Sequence, residues 1–337
     1  MAVCSIIIPH FGIPELLRRC LASIPQREDF QVIVVDDCSP DFDSYRDRYP
    51  DLFQEGVTWL RTPHNGGAGL ARNVGLDHAT GKWLLFADAD DFFTDDMEEL
   101  LDTYQDVGDD IIFFRRRTVL SEHPEVISRR DSWMDGLFER SLSSDDLREI
   151  RFNHCVPWSK MIRRSLVEEN HIRFDELPFS NDVMFSITAG SKADSVKVVD
   201  RELYVSTLRT GSLTDNFARK PGELRIRADV AIRAQKLMKD CGYPHALPHL
   251  SLSFFLSRMI HCDRGLFREY FNRIPEVYGS YWQPVKEMAR KEKGILRKGL
   301  LCVYSLFVYC LESMGKRFRK AFGAMKKNRC DISSRNV

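Results

Sequence analysis

The chain of 337 residues has room for one large domain or two ordinary ones, and 43% apolar with 29% charged residues is a globular composition. A formal net charge of zero argues against a general nucleic-acid binder. That charge is unevenly placed: residues 286–329 hold 13 Lys/Arg against 3 Glu, a local +10, which leaves the rest of the chain at about −10.

Nine cysteines, odd in number, scattered and without a C-x-x-C pair, read as reduced thiols of a cytosolic protein and not as a disulfide framework or zinc site. The apolar run in "MAVCSIIIP" is too short, and too uncharged in front, for a signal peptide. The longest uncharged apolar run, residues 299–311, has 13 residues, whereas a spanning helix needs about 20. Nothing in the pattern crosses a membrane unaided.

Over residues 1–120 short β-branched runs alternate with helical patterns. "CSIIIP" is followed by "PELLRRCLASI", "QVIVVDD" by a polar stretch, "VTWLRT" by "GLARNVGLDHA", "KWLLFAD" by "DDMEELLDTYQ", and then comes "DIIFFRR". Continuous apolar strands separated by amphipathic helices predict an open α/β sheet, mostly parallel and covered on both faces. Residues 132–204 are mixed, with "VPWSKMIRRSLVEEN", "FSNDVMFSITAGS" and the strand-like "VKVVDRELYVS" as the clearest pieces. Beyond Pro221 the patterns are helical, which places a boundary near residues 216–222.

Ligands of such sheets sit beyond the carboxyl ends of the strands. The residues there are Pro9, His10 and Phe11, Asp36 and Asp37, the loop from Thr62 to Gly69, and Asp88 with Asp90. In an extended segment, residues two apart point the same way, so Asp88 and Asp90 converge while Ala89 faces the interior. Two hard carboxylates suit Mg²⁺ or Mn²⁺, which complete their shells with water and substrate phosphate. The bland alternative is that the acids cap the next helix, and it fits Asp91, Asp95 and Asp96 better than Asp88 and Asp90. Asp36 or Asp37 could accept from a ribose or a base edge, or both could cap their turn. Gly66, Gly67 and Gly69 open a helix start to close approach by a ligand. Arg72, one turn into that helix, could reach phosphate or base, or form a surface ion pair.

These strand ends, in this order, resemble family 2 glycosyltransferases, which have the GT-A fold. The resemblance rests on "SIIIPHFGIPELLRRCLASI", "VIVVDDCSPD", "NGGAGLARNVGLDHATGKWLLFADADD", "PWSKMIRRSLVEENHIRF" and "NDVMFS", and covers residues 3–212. It implies a catalytic domain over residues 1–216, with a nucleotide-sugar-binding half (1–120) and an acceptor-side half (121–216). A helical region, 217–337, follows. Carried over by position, Pro9, His10 and Phe11 line the nucleotide pocket, Asp36 or Asp37 meets the base or ribose, and Arg72 lies near the nucleotide. Gly66 and Gly67 belong to the same donor side. Asp88 approaches ribose and diphosphate, and Asp90 is the direct metal ligand. Asp182 in "FSNDVMFS" takes the place of the family's base, although Asn181 stands where the family has Glu. Ser180 as N-cap of a helix is the alternative reading of that segment. Trp158 and Lys160 match an acceptor-side W-x-K segment. Arg209 in "YVSTLRTGSLT" is a candidate for the diphosphate, with Ser212 beside it.

The implied function is a metal-dependent, inverting transfer of sugar from a nucleotide donor, UDP-linked, to a hydroxyl of a glycan or lipid-linked glycan in polysaccharide biosynthesis. A non-catalytic glycan-binding scaffold on the same fold is the rival from another class, encouraged only by Asn181. A sugar-phosphate nucleotidyltransferase would carry a basic Gly-rich loop after its first strand, where this chain reads "PHFGIPELL". Residues 295–329 join an apolar helix to a basic stretch. They suit an anionic membrane surface at the inner face of the cell membrane, or packing of the apolar part on the body.

Overall fold

A computed structural model describes residues 2–130, 132–209, 220–243, 246 and 250–279. Eight strands form one sheet: β1 (Cys4–His10), β2 (Phe30–Asp36), β3 (Val57–Arg61), β4 (Trp83–Phe86), β5 (Phe92–Phe93), β6 (Ile111–Leu120), β7 (Lys160–Arg163) and β8 (Val196–Leu208). The helices are α1 (Pro14–Ala22), α2 (Tyr45–Arg48), α3 (Gly67–His78), α4 (Met97–Tyr104), α5 (Ser132–Leu142), α6 (Arg148–Asn153), α7 (Arg164–Glu169), α8 (Val183–Lys192), α9 (Pro221–Asp240), α10 (Leu252–Cys262), α11 (Arg264–Asn272) and α12 (Ile274–Tyr278).

The sheet order is β3-β2-β1-β4-β7-β6-β8-β5. β1 pairs in parallel with β2 on one side and β4 on the other, so the order reverses about β1. The crevice that opens at such a switch point lies beyond the carboxyl ends of β1 and β4. β7 runs antiparallel between β4 and β6, and the two-residue β5 runs antiparallel to β8. The parallel pattern of the N-terminal runs thus continues into a mixed sheet. Local periodicity could not place β7, because "KMIR" is four residues long and its partners lie about 50 and 80 positions upstream.

Alternation along the strands divides the core. Ile6, Ile8, Val32, Val34, Trp83 and Leu85 pack with Leu17 and Cys20 of α1 on one face. Ile7, Ile33, Val35, Leu84 and Phe86 pack with Ala71 and Leu76 of α3 and Phe185 of α8 on the other. Both faces being apolar explains why these strands read as continuous hydrophobic runs. A Cβ on Gly75 would overlap the Ile7 side chain, which is how α3 lies so close to β1.

The first compact unit is residues 1–251 and the second begins at Leu252. Helix α9 belongs to the first, where Val230, Ala234 and Met238 join Val183 and Ile187 of α8 and Phe152. The boundary read near residues 216–222 falls partly outside the described residues. In the second unit, α11 is capped by Asp263, whose side chain accepts from the Leu266 N–H. No helix among the described residues is long and apolar enough to cross a membrane. The basic stretch 295–329 and Ser212 lie outside the described residues.

Candidate functional site

The acids at the ends of β2 and β4 are held in different ways. Asp36 is fully buried and accepts from His10 Nδ1 at 3.0 Å, the Ser39 N–H at 2.9 Å and Ser39 Oγ at 2.6 Å. Since His10 Nε2 accepts from the Ile13 N–H, the ring proton sits on Nδ1. Burial works to raise the Asp36 pKa, but the His10 and Ser39 hydrogen bonds prevail and hold it below the ordinary carboxylate range. Asp37 accepts from Thr62 Oγ1 (2.9 Å), the Gly66 N–H (3.0 Å) and the Gly67 N–H (2.6 Å). It supplies the anion at the N-terminus of α3 that a ligand was expected to supply. The glycine amides are therefore engaged within the protein, which corrects the expectation that they open onto a ligand. Gly69 has a different use: a Cβ there would overlap the Asp175 carbonyl oxygen, so the glycine lets the 175–181 loop lie against α3. Pro9 is buried in β1, while Phe11, just past the strand, is 48% exposed.

Beyond β4 the chain turns through Asp88 to Asp91, with the Asp91 N–H donating to the Asp88 carbonyl at 3.0 Å. Ala89 faces the core, and Asp88 and Asp90 keep side-chain exposures of 36% and 22%. Asp91 does not cap a helix, contrary to the alternative weighed above. It is buried, accepting from Tyr204 Oη at 2.8 Å and from the Thr207 N–H at 2.6 Å. Helix α4 starts after Asp96 without a side-chain cap, and Asp96 pairs with Arg201 instead. Three crowded carboxylates have the expected electrostatic result. Burial, then the Asp88 charge, raises Asp90, with Arg209 opposing; burial, Asp90 and Asp88 push Asp91 well above the usual range.

Arg72 joins this loop to the start of α8. Its side chain is 5% exposed, so it is not the surface pair that was one alternative. Nη2 donates to Asp88 Oδ1 at 2.6 Å and Nη1 to Asn181 Oδ1 at 2.9 Å. Its buried Nε has no acceptor among the described residues. Asp182 follows Asn181 as the N-cap residue of α8 but makes no side-chain cap hydrogen bond. Ser180, the other candidate for that role, instead takes φ +54° and accepts from Arg227 Nη1 of α9 at 3.0 Å. Asp182 is half-buried as a residue, and burial of its carboxyl raises the pKa, assisted by Asp88 and opposed by Arg72 and Arg227. Arg209 Nε donates to Asp90 Oδ2 at 2.9 Å. Asp88, Asp90, Arg72, Asn181, Asp182 and Arg209 are thus linked by direct contacts or by sequence adjacency.

Trp158 stacks on Tyr204 with centroids 5.2 Å apart and planes 10° from parallel. Lys160 is fully buried, donating from Nζ to the His154 carbonyl at 3.0 Å; burial pulls its ammonium down to about 7, opposed by Cys155 and Asp182. Its side chain is part of the core. Tyr204, Thr207 and Arg19, whose Nη2 donates to the Asp90 carbonyl at 2.6 Å, were not singled out from the sequence. The period-2 run ending in "ELYVSTL" could have pointed to Tyr204 as an inward tyrosine needing a hydroxyl partner.

Among the described residues no three His, Cys, Asp or Glu gather as a metal cluster. Two partly open carboxylates, one raised by burial and by its neighbour's charge, nevertheless form a donor set that fits a hard divalent cation, which binds through one or two carboxylates.

Residues 5–170 match the family model described as Glycosyl transferase family 2. The chain is 27% identical over 224 residues to "Uncharacterized glycosyltransferase EpsJ" of Bacillus subtilis, covering 63% of this chain and 62% of that protein. It is 27% identical over 220 residues to "Poly(ribitol-phosphate) beta-N-acetylglucosaminyltransferase TarS" of Staphylococcus aureus, covering 61% of this chain and 36% of the relative. The crystal structure of S. aureus TarS 1-349 in complex with UDP-GlcNAc superposes with a TM-score of 0.57 at 21% identity, over 82% of each chain. This likeness shows a shared GT-A-type fold.

Proposed function

We propose that this chain, which carries a glycosyl transferase family 2 domain over residues 5–170, moves a sugar from a UDP-linked donor to a hydroxyl of a glycan or lipid-linked glycan, with inversion, in polysaccharide biosynthesis. One observation carries the reading: a single buried guanidinium, Arg72, binds both Asp88 at the end of β4 and Asn181 beside Asp182 at the start of α8. It ties the donor-side acids to a carboxyl with the chemistry of a base. The TarS fragment solved with UDP-GlcNAc supports a UDP-sugar.

In this reading the acceptor hydroxyl attacks the anomeric carbon from the face opposite the diphosphate. The new C–O bond forms as the bond to the diphosphate oxygen breaks, and the hydroxyl proton passes to an Asp182 carboxylate oxygen. A carboxyl raised by burial is closer to neutral pH than a solvated one and so is a better base. Asp90, with Asp88, would hold Mn²⁺ or Mg²⁺, which when bound neutralises charge on the leaving diphosphate. Arg72 and Arg209 add fixed positive charge beside those acids. Asn181 leaves Arg72 with one carboxylate partner in place of two, so more of its charge remains for Asp88 and the donor.

The test is transfer and donor hydrolysis across a nucleotide-sugar panel with Mn²⁺, comparing wild type with Asp90→Asn and Asp182→Asn. Metal-dependent turnover that both substitutions abolish is expected. Absence of both turnover and metal-dependent binding for every donor would overturn the proposal.

A further inference from the structure

Asp91 and Tyr204 have no place in the chemistry above, yet they hold the acidic loop more completely than any residue that has one. The Tyr204 hydroxyl accepts from the Asp88 N–H at 2.9 Å and donates to Asp91 Oδ2 at 2.8 Å. The other Asp91 oxygen accepts from the Thr207 N–H, and Thr207 Oγ1 returns to the Asp90 carbonyl at 2.7 Å. All four main-chain and side-chain ties come from β8, more than 110 positions downstream. The Tyr204 ring, fully buried, is fixed on one side by Phe93 at 5.5 Å, edge to face, and is stacked by Trp158. Arg116 of β6 lies over Trp158 at 5.9 Å. One side chain thus touches the backbone of Asp88, the carboxylate of Asp91 and the ring of Trp158.

We propose that Tyr204 is a positioning residue that sets the Asp88 and Asp90 carboxylates for a divalent cation, with Asp91 as its anchor and not a third ligand. Asp91 is set apart from the other two acids by burial: it is 4% exposed and each of its oxygens accepts from a donor of β8, whereas Asp88 and Asp90 keep part of their side chains open. Removing the Tyr204 hydroxyl leaves a buried carboxylate oxygen and the Asp88 N–H each short of a partner, and the loop relaxes to satisfy them. Ligand-supporting partners of this kind typically change metal affinity by about 10–100-fold. The stack on Trp158 makes the same side chain a contact between the cation side and the segment that follows α6.

The inference rests on the cation reading of the preceding section, and the test separates the two. Mn²⁺ binding to the full chain, without donor, is followed by the loss of the free-ion EPR signal for wild type, Asp90→Ala, Tyr204→Phe, Asp91→Asn and Thr207→Val. Near-UV circular dichroism is recorded for each. Tyr204→Phe keeps the stacked ring and is expected to bind Mn²⁺ about tenfold more weakly or worse, with its aromatic signal retained. Asp91→Asn should fall near Tyr204→Phe and short of Asp90→Ala, and Thr207→Val, which removes only the hydroxyl on the Asp90 carbonyl, should show a smaller loss. If Asp90→Ala loses binding while Tyr204→Phe and Thr207→Val match wild type, the inference fails and the cation reading survives. An Asp91→Asn loss equal to that of Asp90→Ala makes Asp91 a ligand and also overturns it. Wild-type affinity in Asp90→Ala overturns the cation reading and this inference together.

Discussion

Two strands of this sheet end in the same way, in a pair of acids after a buried apolar run, and the molecule treats the two pairs in opposite ways. At the end of β2, every oxygen of Asp36 and Asp37 accepts from a protein donor. Those acids build the turn and the start of α3. At the end of β4, Asp88 and Asp90 each meet one guanidinium, keep part of their surface open, and crowd a third acid. A saturated carboxylate contributes architecture, whereas a crowded and partly open one is suited to a cationic ligand.

The largest effect is expected at the carboxyl that completes the second group. Asp182→Asn should lower transfer by about 10²–10⁴-fold while donor affinity, measured by calorimetry, stays near wild type; a comparable loss from an acid of the β2 pair would break the contrast. Asp36→Ala should instead cost roughly 3 kcal/mol in urea unfolding, since it leaves His10 and Ser39 buried without their acceptor. Activity per folded molecule should persist. The depressed Asp36 pKa makes this contribution present above about pH 4 and lost as pH falls below it. The wild type and Asp36→Ala should therefore converge in acid.

Gly69→Ala sharpens the contrast from the backbone side. A Cβ there displaces the Asp175 carbonyl, so about 1–3 kcal/mol of overpacking is expected in thermal unfolding. A drop in turnover should accompany it, because the same loop carries Asn181 and Asp182. A separate test lies at Lys160, where the readout is a slope with pH. An ordinary lysine titrates near 10.4 and this one at about 7, so between those values the unfolded chain binds more protons and stability rises with pH. Lys160→Met lacks this slope. Its melting temperature should exceed that of wild type at pH 7 and the gap should narrow toward pH 9; a constant gap would remove the buried ammonium from the account.

Local pattern alone determined a good deal. The runs "CSIIIP", "QVIVVDD", "VTWLRT" and "KWLLFAD" announced strands because strands covered on both faces must be apolar throughout. Two-residue alternation at a strand end anticipated Ala89 facing the core, although Asp88 to Asp91 form a turn beyond β4 and not an extended end of it. The resemblance also brought Asp182 forward from the middle of the chain. Tertiary structure alone decided which acids were already in use. Hydrogen-bond partners of Asp36, Asp37 and Asp91 come from positions between 3 and 116 residues away, and no periodicity encodes such distances. The insertion of β7 between β4 and β6, the packing of Gly69 on the Asp175 loop and the bridge from Arg72 to Asn181 share that cause. Each depends on segments meeting through the sheet, and whether a carboxylate serves the fold or a ligand is settled by the donors that reach it there.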